Sequence, residues 1–164
     1  MSLKTVKFLL VSALALCSMT AATAFGQMPN PYGANISLEA AKKAAAPALA
    51  EARKNNWTMV VAIVDAAGDL VYYEKMDNTQ LGSSKVAIDK ARSAVRFKRP
   101  TKAFQDALAA GGAGLRVLGL EGATPVEGGI PLVSDGKIVG AIGVSGATSD
   151  QDGQCAKVAA DGFK

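Results

Sequence analysis

The chain predicts an α+β domain built on a mainly antiparallel sheet, and three features carry that expectation. Two apolar runs between Ile130 and Ala147 are separated by Asp135-Gly136, a dipeptide that suits a tight hairpin turn. A second pair of runs, rich in β-branched and aromatic residues over 57–64 and 70–76, flanks Asp65-Ala66-Ala67-Gly68-Asp69 in the same way. Around these hairpins the apolar residues recur at helical rather than strand spacing, as over 83–97.

Taken in order, the elements begin with a segment outside the fold. Residues 1–24 join Lys4 and Lys7 to an apolar run over 8–16 and a small-residue end at Ala22-Thr23-Ala24, the pattern of a cleaved secretory signal peptide. The run is shorter than the roughly 20 residues a membrane-spanning helix needs. A periplasmic or secreted protein, cut near Ala24, is expected, with no membrane span. Residues 25–36 mix Pro, Gly and Asn without periodicity and read as a flexible leader. A single domain follows over 37–164. Ser37 is placed to cap an Ala-rich helix running to about Lys54, which Pro47 should kink or split. The first hairpin comes next, then a loop over 76–79, a helix over 83–97 and a short helix over 102–110. Residues 115–120 are apolar enough for a strand or a buried loop, and 150–163 form the closing helix. In the second hairpin, Gly140, Gly143 and Gly146 interrupt one strand, which implies that another backbone, a helix or a ligand approaches closely there.

Composition excludes several functions. The net charge of +4 falls to +2 once Lys4 and Lys7 leave with the leader, so no basic nucleic-acid footprint is expected. Arg92, Arg96, Lys98, Arg99 and Lys102 do gather, as a solvated helix end. The chain has no histidine, which removes Ser-His-Asp and Cys-His catalysis, the usual zinc sites and an imidazole-held haem iron. After cleavage Cys155 is the single cysteine, so no intrachain disulfide can form; a buried small hydrophobe is its plainest role. The glycine series lies inside a strand pattern and no phosphate-loop motif is present, so no nucleotide is expected.

A few residues remain as candidates for chemistry. Glu127, beside Gly128-Gly129, is either a carboxylate that holds a sharp turn or a weak candidate for a catalytic base. Asp65 reads as a turn residue and Asp152 as a helix-start charge. Thr101 is either a helix cap or a polar group facing a cleft between Phe97 and Phe104. Lys90 falls on the inner side of its helix, as a snorkelling lysine or an anion clamp. Tyr72, Tyr73 and Met76 serve as packing residues or as ligands to a haem iron.

Three blocks resemble the GlcG/HbpS-like family of small haem-binding or haem-degrading domains, also found at the C-terminus of some corrinoid adenosyltransferases. They are residues 61–71 with Met76-Asp77, residues 90–104 from Lys90-Ala91-Arg92 to Ala103-Phe104, and Val126-Glu127-Gly128-Gly129-Ile130-Pro131 with 140–147 and Asp152. The resemblance implies profilin-like α/β/α layers around a sheet of about five strands, a homo-oligomer, and haem or a related tetrapyrrole as ligand. Members that hold haem through histidine are not matched here. The resemblance therefore leaves ligation to Thr101, Tyr72, Tyr73, Met76, Lys90 or Cys155, or to apolar contacts and propionate pairing alone. On this reading Phe97 and Phe104 sandwich the ring, Lys90 or Arg99 meets the propionates, Thr101 approaches the metal, and Met76 is a further cofactor contact. Two other functions stay open: a ligand-free accessory protein assembling a periplasmic oxidation pathway, and a cofactor-free enzyme acting on a small organic acid with Glu127 as base.

Overall fold

The structure, a computed structural model, describes residues 28–164; the signal-peptide expectation falls on residues outside that span. Its elements are α1 (Leu38–Lys54), β1 (Val60–Asp65), β2 (Leu70–Lys75), α2 (Ser83–Phe97), α3 (Lys102–Ala109), a 3-10 helix (Gly112–Gly119), β3 (Gly129–Ser134), β4 (Lys137–Ser145) and α4 (Ser149–Gly162). The strands form one antiparallel sheet in the order β2-β1-β4-β3. One face of the sheet carries α1 and α4, and the other carries α2. The expected α/β/α layering and antiparallel sheet are therefore present, with four strands in place of about five.

The apolar run over 115–120, expected as a strand or a buried loop, is neither. Apart from Val117 it lies on the surface, and most of it belongs to the 3-10 helix. Its glycines at 112, 114 and 119 supply no strand-face packing, and Gly111 and Gly112 have positive φ values of 67° and 51°. These turn the chain before a strand can start.

β1 is buried on both faces because it is a central strand beneath two helical layers. Val61 and Ile63 pack toward α1 and α4, while Val60, Ala62 and Val64 pack toward α2. The two hairpins form as expected. Asp135 and Gly136 both adopt positive φ, at 49° and 72°, which matches the twist of the strands they join. Asp65 Oδ1 accepts the Ala67 and Asp69 amides at 2.9 and 3.0 Å and so holds the first turn. α1 runs unbroken through Pro47, kept in place by a buried face of Ala41, Ala44, Ala45, Ala48, Leu49 and Ala52. From Met28 onward the expected flexible leader is tied down. The Met28 amide donates to Lys98, Gly33 to Ile138 and Ile36 to Val139, and Ile138 donates back to Pro31. Among the described residues, no helix is long and apolar enough to cross a membrane.

The glycines of the second hairpin mark close backbone contacts. Gly143 pairs with Gly129 across β3 and β4, and both lie beneath α2. A Cβ on Gly143 would collide with the Ala87 carbonyl oxygen and sit 2.6 Å from the Ala91 nitrogen. One on Gly129 would lie 2.8 Å from the Lys90 carbonyl carbon. Backbone cannot retreat from such a contact as a flexible side chain can, so overpacking here is costly. Gly143→Ala is expected to lower stability by about 3 kcal/mol or to prevent folding. The control Gly82→Ala, with no heavy atom within 4 Å, should leave it unchanged or slightly higher, as urea unfolding monitored by circular dichroism will check.

Candidate functional site

Lys90, Thr101, Asp152 and Glu127 meet beneath α2, around the start of β3. Lys90 leaves the inner face of α2 and is fully buried. Its Nζ donates to the Val144 carbonyl at 3.0 Å and to Asp152 Oδ2 at 2.7 Å. Asp152, in the first turn of α4, also accepts the Ala147 amide at 3.1 Å. Gly128 makes room for this pair at φ 126°: a Cβ there would lie 2.6 Å from the Val144 oxygen and 2.9 Å from Lys90 Nζ. Burial lowers the pKa of Lys90 from its ordinary value, with Asp152 acting against that shift. Burial likewise raises Asp152, with Lys90 opposing. Desolvation outweighs attraction on both sides, so the pair anchors α2 to α4 and β4 but is a costly bond.

These contacts redefine two candidates. Lys90 is neither a snorkelling lysine nor an anion clamp, because its ammonium is enclosed and already held by a carboxylate and a carbonyl. Thr101 is also fully buried; it stands at the N-cap position of α3, but its side chain accepts no amide of that helix. Its Oγ1 accepts the Gly129 amide at 2.9 Å, while its own amide donates to the Gly129 carbonyl at 2.9 Å. It is a clip joining α3 to the edge strand.

Glu127 lies at the rim of this cluster, half-buried against Gly153, with Oε2 3.7 Å from Lys102 Nζ. The turn is held not by its carboxylate but by its amide, which donates to Gln105 Oε1 at 2.8 Å. Burial raises the Glu127 pKa, partly offset by Lys102. The Phe97 and Phe104 rings meet edge to face at 5.2 Å, and the Arg99 guanidinium sits 5.4 Å from the centre of the Phe104 ring. Arg99 Nε donates to the Phe97 carbonyl at 3.1 Å. Met76 is not part of this group. It packs against the core on the α1 and α4 side of the sheet, and its carbonyl accepts Thr79 Oγ1 at 2.7 Å. Tyr72 donates to Glu74 on edge strand β2, and Cys155 is fully buried with its thiol pKa pushed up to about 11.

A separate groove opens where α1, the C-terminal end of α4 and the tip of the second hairpin converge. Its volume is about 780 Å³. Ile36, Ala40, Ala44, Pro47, Val139 and Phe163 give it apolar walls, and Lys43, Lys137 and Lys164 bring ammonium groups. Sequence reading missed it because its residues come from three distant stretches, and those that carry a local signal, such as Ser37 and Asp135, signal a cap and a turn instead of a site.

A helix seated on paired glycines, a buried lysine–carboxylate bond and a second helical layer across the sheet define a small three-layer α/β/α domain. The chain belongs to the HbpS-like family, described as haem degrading protein HbpS-like, whose model matches residues 36–161. It is 34% identical over 132 residues to a 15.0 kDa protein of the dhaT–dhaS intergenic region of Citrobacter freundii, covering 79% of this chain and 93% of that one. A double mutant of Streptomyces reticuli HbpS superposes with a TM-score of 0.71 at 32% identity, over 79% of this chain and 87% of that one. The PduOC–haem complex gives 0.69 at 29% identity, over 77% and 94%.

Two predictions follow from the buried cluster. Lys90→Met or Asp152→Asn alone strands a buried charge and should cost about 3–5 kcal/mol, whereas Lys90→Met with Asp152→Leu should recover most of that loss in urea unfolding. For Glu127 the raised pKa means that the folded state holds the proton more tightly. Its favourable contribution is therefore present below the ordinary value of 4.5 and is lost as pH rises through the raised one. Glu127→Gln should accordingly gain more in urea midpoint over the parent at pH 7 than at pH 4.

Proposed function

We propose that this chain binds haem or a related tetrapyrrole in the groove between α1, the end of α4 and the second hairpin. The observation that carries the reading is the groove itself: apolar walls with Lys43, Lys137 and Lys164 among them, in a volume of about 780 Å³. That size lies within the 300–1,000 Å³ typical of small-molecule sites. Apolar walls suit the faces of a macrocycle, and ammonium groups suit its propionates. The family match and the likeness to the PduOC–haem complex support the same ligand class.

The donor set fits a ring held by its faces and its acids. With no histidine in the chain, the polar groups that line the groove are amines, hydroxyls, an amide and carboxylates, from residues such as Lys43, Ser37, Asn35 and Glu39. Haem, when bound, supplies an iron centre for redox or oxygen chemistry. The chain's own part is to exclude water from one face of the ring and to neutralise its carboxylates. Glu127 and Lys90 line no part of this groove, which favours ligand binding over catalysis by Glu127. The Lys4–Ala24 pattern adds export and cleavage to the reading.

Haemin titration followed by the Soret band tests it. The parent should show a saturable shift without the spectrum of bis-imidazole ligation. Lys43→Glu with Lys137→Glu should weaken binding about tenfold or more by placing like charge beside the propionates. Arg99→Ala should leave it unchanged. Absence of a saturable shift in the parent overturns the reading. Loss confined to Arg99→Ala moves the ligand to the Phe97–Phe104 face.

A further inference from the structure

Proline inside a helix deprives one carbonyl of its partner, and in α1 that carbonyl borders the groove. Pro47 has no N–H, so the Lys43 carbonyl lacks the donor from the next turn that an α-helix normally supplies. The proline ring also crowds that oxygen and turns it off the helix axis. Ala40, Lys43, Ala44 and Pro47 share one helical stripe, and all of them line the groove. Helical carbonyls point toward the C-terminal end, which sets this oxygen between Lys43 and Pro47 on that stripe. A second acceptor belongs to the same lining. Asn35 spends its Nδ2 on Asp65 Oδ2, at 2.8 Å, and keeps its own side-chain oxygen for another donor.

The usual protein ligands of haem iron are not found beside these acceptors. Among the described residues that line the groove there is no histidine, cysteine, methionine or tyrosine. The lining therefore answers N–H groups better than it answers a metal. In haem the pyrrole nitrogens are bound to iron and donate nothing. In an intact metal-free macrocycle their N–H groups point into the centre of the ring, away from a wall. Opening the ring brings pyrrole and lactam N–H groups to an outer edge, where a helix carbonyl can accept from them. A site whose polar groups are satisfied by one ligand rejects the analogue that leaves them unpaired. The lactam oxygens and propionates of the opened chain in turn suit the ammonium groups of Lys43, Lys137 and Lys164.

We propose that the groove selects an open-chain tetrapyrrole dicarboxylate over haem, with the Lys43 carbonyl accepting a pyrrole or lactam N–H. The inference rests on the groove being the tetrapyrrole site. Pro47 is then a specificity-determining residue, because any other residue at its position would donate its own amide to that oxygen.

Side-by-side titration of the purified chain with biliverdin and with haemin, followed by absorption, tests it. Both should saturate, and biliverdin should bind about fivefold tighter or more, the worth of one hydrogen bond. Pro47→Ala returns an amide donor to the Lys43 carbonyl and favours the helix, so it should keep the parent's circular dichroism. It should reduce the ratio of biliverdin to haemin affinity about fivefold. Pro47→Val restores the same amide while keeping apolar bulk, and should shift the ratio likewise. Haemin bound as tightly as biliverdin, or an unchanged ratio in either variant, overturns this inference and leaves the groove as a haem site. Saturation by neither ligand overturns the reading of the groove itself, and this inference with it.

Discussion

The seating of α2 on the Gly129–Gly143 pair is the constraint on which the rest of the domain depends. Two facing residues without side chains let a helix backbone rest directly on the strands. That close approach fixes how far Lys90 can reach. It brings the ammonium to the Val144 carbonyl and to Asp152, so the angle of α2, the path of β4 and the start of α4 are set together. Thr101 closes the arrangement from the other side by clipping the beginning of α3 to Gly129. Residues that look like a polar site in the sequence thus form a polar core. A dense interior with fully satisfied hydrogen bonds is the expected home for such groups, since an unpaired one would be expensive.

The two faces of the sheet divide the work. Beneath α2 the helix backbone rests on Gly129 and Gly143, with Val64, Ala91, Ala94 and Ala141 packed beside them. Across the sheet, α1 and α4 rest on Val61, Ile63, Ile142 and Val144, and the groove lies between α1, the end of α4 and the hairpin tip.

What the sequence discloses and what it hides follow from the range of the interactions. Asp135-Gly136 and the Asp65 turn are local chemistry and read directly. The glycines of β4 announce a close backbone even though they do not name α2 as its owner. Lys90 is legible as an inward-facing residue, but its partner Asp152 lies 62 positions away, and no spacing rule links them. Asp152 itself looks like an ordinary helix-start charge. Thr101 misleads for a related reason: a threonine after Pro100 has the look of a cap, and only the arrival of Gly129 turns its hydroxyl to another task. Residues 115–120 are apolar enough to suggest burial, yet the surrounding glycines deny them a strand. The groove is the least legible feature, because it is a gap between elements and not a pattern along one.

The span shared with the family runs from residue 36 to residue 161, whereas the groove draws on Gly33, Ala34 and Asn35 before it and on Gly162, Phe163 and Lys164 after it. The common scaffold therefore supplies the floor, and segments at both margins of the domain supply flanking walls. A version of this chain trimmed to the shared span would lose six of the residues that line the groove, three from each margin of the domain.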